Sequence, residues 1–215
     1  MSVDIPVKRS TEWWELSAAV LLSLATVLSA WSGYQSSRWN GHASTLNREA
    51  SEVRSRSTRA ASAADQQLVI DVALFTDWVS AHLAGDEVRS AFIRDRFRAE
   101  FVPAFNDWAK GIGSAGYELP DETPFASGMF TSAAQKESDR LLELAEEHQI
   151  KADEATRTAE DFVLTAVLFA SVLFFAGIGS KLSSPQTSHL AVALSGLSLL
   201  GALVVLAMQP IQLGY

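Results

Sequence analysis

The sequence predicts an all-α fold: three transmembrane helices joined to an extramembrane antiparallel helical stalk and a small helical cap. Three observations carry this. Uncharged apolar stretches at Trp13 to Tyr34, Phe162 to Ser180 and Leu190 to Met208 contain no Asp, Glu, Lys or Arg beyond Glu15 at one edge. Each approaches the ~20 residues that a helix rising ~1.5 Å per residue needs to cross a hydrocarbon core of ~30 Å. Small and apolar residues recur at helical spacing on both sides of the long polar insertion, and two amphipathic runs lie inside it. The chain thus divides into an N-terminal tail (1–12), a first span (13–34), a helical stalk and cap (35–160), a second span (161–180) and a third span (190–209).

The first span has Trp13 and Trp14 at one end and Trp31, Tyr34 and Trp39 at the other, which is where amphipathic rings settle at headgroup level. Lys8 and Arg9 before an apolar run also fit a signal peptide, but Leu28 stands where cleavage after Ala30 needs a small residue, so an uncleaved anchor is expected. Within the span Ala19, Ser23, Thr26, Ala30 and Gly33 form one face of small or weakly polar side chains. Such faces let helix backbones approach closely in lipid, and this one is the candidate helix-packing or pore face. The third span carries a similar stripe at Ala191, Ser195, Ser198 and Ala202; the second has Ala166, Ala170 and Gly177 beside a surface of Phe169, Phe174 and Phe175.

Beyond Tyr34 the helical pattern continues through Leu46, Ala50, Val53, Ser57, Ala60 and Ala64, with Gly41 a candidate break. Its partner runs from about Ser132 to Ser180 with Leu141, Ala145, His148, Ala152, Ala155, Ala159, Phe162 and Ala166 in register. One helix leaves the membrane and the other returns, so the two pair antiparallel, and seams made largely of alanine favour close packing. His148 reads as a tolerated seam residue.

Between them, Leu68, Val72, Phe75, Val79 and Leu83 predict a helix with that face inward, which Gly85 ends before Asp86 starts the next. Ile93, Phe97, Phe101, Ala104, Phe105 and Trp108 then predict a second amphipathic helix, kinked at Pro103. Phe97, Phe101, Phe105 and Trp108 are the candidate cap core. Gly111, Gly113, Gly116, Pro120 and Pro124 mark a loop from which Phe125 and Phe130 can fold back. A tight turn over Ser183 to Ser188 closes the last two spans into a hairpin.

The net charge of −8 is unevenly placed: residues 35–59 hold five arginines against two glutamates, and residues 60–160 hold nine basic against nineteen acidic residues. The basic collar suits lipid phosphates, each charge being worth ~1 kcal/mol near an anionic surface, or simply keeps a helix soluble. Arg38 and Arg48, with Trp31 and Tyr34, are the candidate headgroup contacts. The acidic remainder would repel nucleic acid, which is not expected as a partner. Basic residues Lys8, Arg9 and Lys181 in short segments favour an inside N-terminus, with the insertion and the C-terminus outside.

His42, His82, His148 and His189 have no metal-ligand spacing, cysteine is absent, and no nucleophile elbow, phosphate loop or zinc signature occurs. Neither an enzyme activity, a cofactor nor a metal is expected. The span interiors lack the ionisable residues that mark coupled transport.

Four stretches, WSGYQSSRWNG at Trp31 to Gly41, RDRFRAEFVPAFNDW at Arg94 to Trp108, TPFASGMF at Thr123 to Phe130 and FVLTAVLFASVLFFAGI at Phe162 to Ile178, resemble a family of uncharacterised bacterial multi-pass membrane proteins. That family has one span, a helical insertion and a closing two-span hairpin. The resemblance implies a bacterial cell membrane, and no activity or functional residue. The residues themselves lead to an expected membrane assembly or scaffold protein that contacts lipids, self-associates and presents its cap to an unidentified protein partner. Two alternatives stay open: a homo-oligomeric channel lined by the small face of the first span, and a sensor signalling through the stalk.

Overall fold

A computed structural model describes residues 10–113, 118–126, 130–181 and 184–212, with the backbone alone for 10–15 and 185. The tail before residue 10, the side chains of Trp13 and Trp14, Gly116 and the turn residue Ser183 lie outside the described residues. The fold is all-α, with five helices among the described residues: α1 Ser10–Leu83, α2 Glu87–Arg94, α3 Val102–Ala109, α4 Ala133–Gly179 and α5 Pro185–Met208. Three of them, α1, α4 and α5, are long and apolar enough to cross a membrane.

Helix α1 is a single helix of 74 residues, so the first span, the first stalk segment and the run predicted as a separate helix over 68–83 are continuous. Gly41 does not break it. A mid-helix glycine costs only ~1 kcal/mol relative to alanine, too little against a helix whose flanks Ser36, Ala43 and Ala50 are packed. The helix ends where the sequence places the stop: Gly85 takes φ 72°, a left-handed conformation open to glycine. Asp86 then caps α2, its carboxylate accepting from the Arg89 N–H at 2.9 Å.

Two sequence expectations are corrected here. The inward face near the end of α1 is Asp71, Phe75, Trp78 and Ala81, whereas Leu68, Val72 and Leu83 are exposed. Burying the rings of Phe75 and Trp78 removes more apolar area than burying Leu and Val, so the helix turns them inward and accepts a carboxylate on the same face. Pro103 does not kink a helix either. It occupies the first turn of α3, where its missing N–H has no intrahelical partner to lose, and the chain over 95–101 separates α2 from α3.

The chain divides into two compact units. The first combines residues 1–47 with 149–215. In it α4 turns Phe162, Thr165, Phe169, Val172 and Ala176 inward, α5 contributes Val192, Ser195, Leu199 and Ala202, and α1 contributes Ala18, Ala25 and Ser32. Ala25, Phe169, Val172, Leu199 and Ala202 form one apolar cluster. Phe169, assigned from sequence to the surface beside the seam, is fully buried at its centre. Between α4 and α5, Ser195 Oγ donates to the Val172 carbonyl at 3.1 Å and Ser188 Oγ to the Gly179 carbonyl at 2.7 Å. The predicted alanine seam follows in the same unit, with Ala152, Ala155 and Ala159 buried; Ala43 of α1, which the spacing did not single out, is buried too, and Gln149 Nε2 is bonded to Asn47 Oδ1 at 3.1 Å.

The second unit spans 48–148. Here Ala50, Val53, Ser57 and Ala64 of α1 are buried, as are Ser138, Leu141 and Ala145 of α4. Ser57 Oγ donates to the Ser138 carbonyl at 2.9 Å, while His148 Nδ1 lies 3.3 Å from Glu49 without the alignment of a hydrogen bond. Ser57 meeting Ser138 and Glu49 meeting His148 fix the pair as antiparallel. Ser132 starts α4, its Oγ accepting from the Gln135 N–H at 3.1 Å.

Candidate functional site

The second unit gathers its aromatic residues into one core of Phe75, Trp78, Ala81, Ile93, Phe97, Phe101, Phe105 and Trp108. It brings together all four predicted cap residues: Phe97 and Phe101 have ring centres 5.2 Å apart, Phe97 and Phe105 4.9 Å, Phe105 and Trp108 6.0 Å. The edge-to-face arrangement of Phe75 on Trp108 at 4.9 Å sets the positive edge of one ring on the negative face of the other. Phe125 folds back and stacks on Phe101 at 4.7 Å, and Phe130 meets Phe101 edge-on at 5.5 Å. Trp108 Nε1 donates to the Glu122 carbonyl at 2.6 Å, tying the loop to this core.

Sequence reasoning did not find the charge at its edge. Asp71 is fully buried, and Arg98 holds it through Nε at 3.0 Å and Nη2 at 2.5 Å. The remaining Nη1 of Arg98 reaches Gln67 Oε1 at 2.8 Å and Glu100 at 3.4 Å. The hydrogen bond to Asp71 raises the guanidinium pKa further above its ordinary value, with burial opposing and the nearby carboxylates adding to the rise. Arg98 therefore stays charged at every accessible pH. Beside it opens a pocket of about 130 Å³ lined by Asp65, Leu68, Arg98, Phe130, Thr131 and Gln135 among others. Outside the core, Val69, Ile70, Val88 and Phe92 are exposed. No group of three or more His, Cys, Asp or Glu positioned to hold a metal ion occurs among the described residues.

In the first unit the candidate packing or pore face behaves differently from the seam. Ala19, Ser23, Thr26, Ala30 and Gly33 are all exposed, because the intramolecular contact uses Ala18, Ala25 and Ser32 instead. Ser23 and Thr26 return their hydroxyls to the Ala19 and Leu22 carbonyls at 2.9 and 2.7 Å. Of the candidate headgroup contacts, Tyr34 and Arg48 are exposed, and Trp31 and Arg38 are half-buried. Trp31 and Tyr34 have ring centres 5.8 Å apart.

A polar cluster that sequence reasoning missed lies at this end of the first span. Gln35 is fully buried and bonded to the backbone of Gln212, Trp39 Nε1 donates to the Pro210 carbonyl at 3.1 Å, and Gln209 Nε2 donates to Thr165 Oγ1 at 2.7 Å. The available signal was phase: Gln35 continues the row of Ala18, Ala25 and Ser32 at helical spacing.

Comparison with protein-family models, with curated proteins and with solved structures gives no match, so the family likeness of the four stretches rests on those stretches alone.

Proposed function

We propose that this chain is a non-enzymatic integral membrane assembly or scaffold protein that self-associates and presents its helical cap to a partner. The observation that carries this reading is the exposure of Ala19, Ser23, Thr26, Ala30 and Gly33 in a bundle that has already made its own three-helix contact elsewhere. A Cβ built at Gly33 meets nothing within 4 Å, leaving that spot open to a neighbouring backbone. Association in lipid is driven by such close packing. Because the hydroxyls of Ser23 and Thr26 are turned back on their own helix, this face offers smooth small-residue surface, which favours packing over a hydrated pore. Val88 and Phe92, 84% and 56% exposed, give the cap apolar surface for a partner. The setting is a bacterial cell membrane, with the N-terminus inside and Arg38, Arg48, Trp31 and Tyr34 at lipid headgroups.

The test is the subunit count of protein extracted in lipid particles, for the wild type and for Gly33→Ile. Wild-type dimers or trimers that fall to monomers in Gly33→Ile, with helix content unchanged, are expected. A wild-type monomer would remove the reading, and a closed ring of four or more would move the pore alternative ahead.

A further inference from the structure

Gln35 makes a paired contact with the backbone of a single residue. Its Nε2 donates to the carbonyl of Gln212 at 3.2 Å while its Oε1 accepts from the N–H of the same residue at 3.1 Å. A side-chain amide thus reads one residue's backbone donor and acceptor together, as a neighbouring strand would. Trp39 Nε1 adds a third bond, to the Pro210 carbonyl at 3.1 Å. All three bonds go to backbone atoms. The intervening Ile211 side chain is 53% exposed, so it contributes little to recognition. Pro210 needs only its carbonyl here, and its ring restricts the segment as it leaves α5, whose C-cap residue Gln209 is extended.

The amide and the segment depend on each other. Gln35 has no exposure with the segment in place, and removing the segment breaks both of its bonds to residue 212 together. Each such bond makes a modest net contribution to the folded state. An extended backbone of any non-proline sequence at the position of residue 212 supplies both.

We propose that Gln35 and Trp39 form a backbone-reading peptide site, occupied by the chain's own segment 210–212, which acts as a detachable strap on the three-helix bundle. The strap binds through its main chain, and a free peptide of the same composition replaces it in trans.

The test uses the intact protein in detergent micelles beside a chain ending at Gln209. Truncation lowers Tm by about 5 °C or more. Saturating Pro-Ile-Gln-Leu-Gly-Tyr peptide restores Tm, and the same peptide N-methylated at its glutamine does not. Gln212→Ala leaves Tm within about 1 °C of wild type, since both bonds to residue 212 are made to its backbone. Truncation without effect, failure of the peptide to restore Tm, or Gln212→Ala as damaging as truncation overturns the proposal. Should the truncated chain not fold, amide hydrogen exchange at residue 212 of the full chain decides: slow in wild type and at least tenfold faster in Gln35→Leu supports the site, and equal rates sink it.

Discussion

The Asp71 carboxylate, with no exposure to solvent, is gripped by the Nε and Nη2 of Arg98, whose side chain keeps 27% of its surface in water. That difference in burial makes the two halves of the pair unequal. Removing one partner of a buried pair costs about 3–5 kcal/mol, mostly because the other charge is left uncompensated. Arg98→Ala leaves the more deeply buried carboxylate without its cation, while Asp71→Ala leaves a guanidinium that is already part-exposed and that still has Gln67 and Glu100. Arg98→Ala is therefore expected to destabilise the cap by more than Asp71→Ala, and the double change by less than the sum. Denaturant unfolding of the four chains, followed by tryptophan fluorescence, gives the cycle; equal single costs with additive doubles would contradict it.

Trp108 ties packing to loop closure. Its ring meets Phe75 at 4.9 Å, Phe105 at 6.0 Å and Trp78 at 6.1 Å, and its Nε1 bonds the Glu122 carbonyl. Trp108→Ala removes both contributions and is expected to cost about 3–5 kcal/mol. Trp108→Phe keeps most of the ring packing and loses the hydrogen bond, for about 1 kcal/mol. The near-ultraviolet circular dichroism of the aromatic cluster should collapse in the first variant and persist in the second. Loss of signal in both would shift the weight from packing to the hydrogen bond.

The elements most legible in the sequence were those whose pattern is local. Spans follow from uninterrupted apolar length, the stop at Gly85 from backbone freedom, and the alanine seam from spacing alone, so Ala50, Val53, Ala145, Ala152 and Ala159 sit where the periodicity puts them. Long-range compensation is where local reading fails. The phase of α1 over 68–83 depends on Asp71 being neutralised by an arginine 27 residues away, and RDRFR offers three arginines without showing which one turns inward. Gln35 looked like the first residue of a polar insertion, because its partners are backbone atoms 177 residues later. The small face of the first span illustrates a third limit. Two rows of small residues one position apart, Ala18 and Ala25 or Ala19 and Thr26, are equivalent by periodicity, and only the packing of Phe169 and Leu199 beside Ala25 separates them.

The hairpin of α4 and α5 turns on Gly179. A Cβ built there lies 3.2 Å from both the Ala191 Cβ and the Val192 Cγ2, and 3.5 Å from the Ser188 carbonyl oxygen. The Ser188 hydroxyl bonds the Gly179 carbonyl across the same gap, so the two helices cannot separate without losing that bond. Gly179→Ala sets two effects against each other: up to ~1 kcal/mol of helix propensity is gained, and two methyl groups must yield by a few tenths of an ångström. A change near zero is expected. Gly179→Val adds branches with no room and should cost about 1–3 kcal/mol through overpacking. Gly177, with nothing within 4 Å of a built Cβ, is the control, and Gly177→Val should be tolerated. Unfolding in mixed micelles of rising denaturing-detergent fraction measures all three. If Gly179→Val unfolds no earlier than Gly177→Val, close approach at the hairpin is not what holds α4 and α5 together.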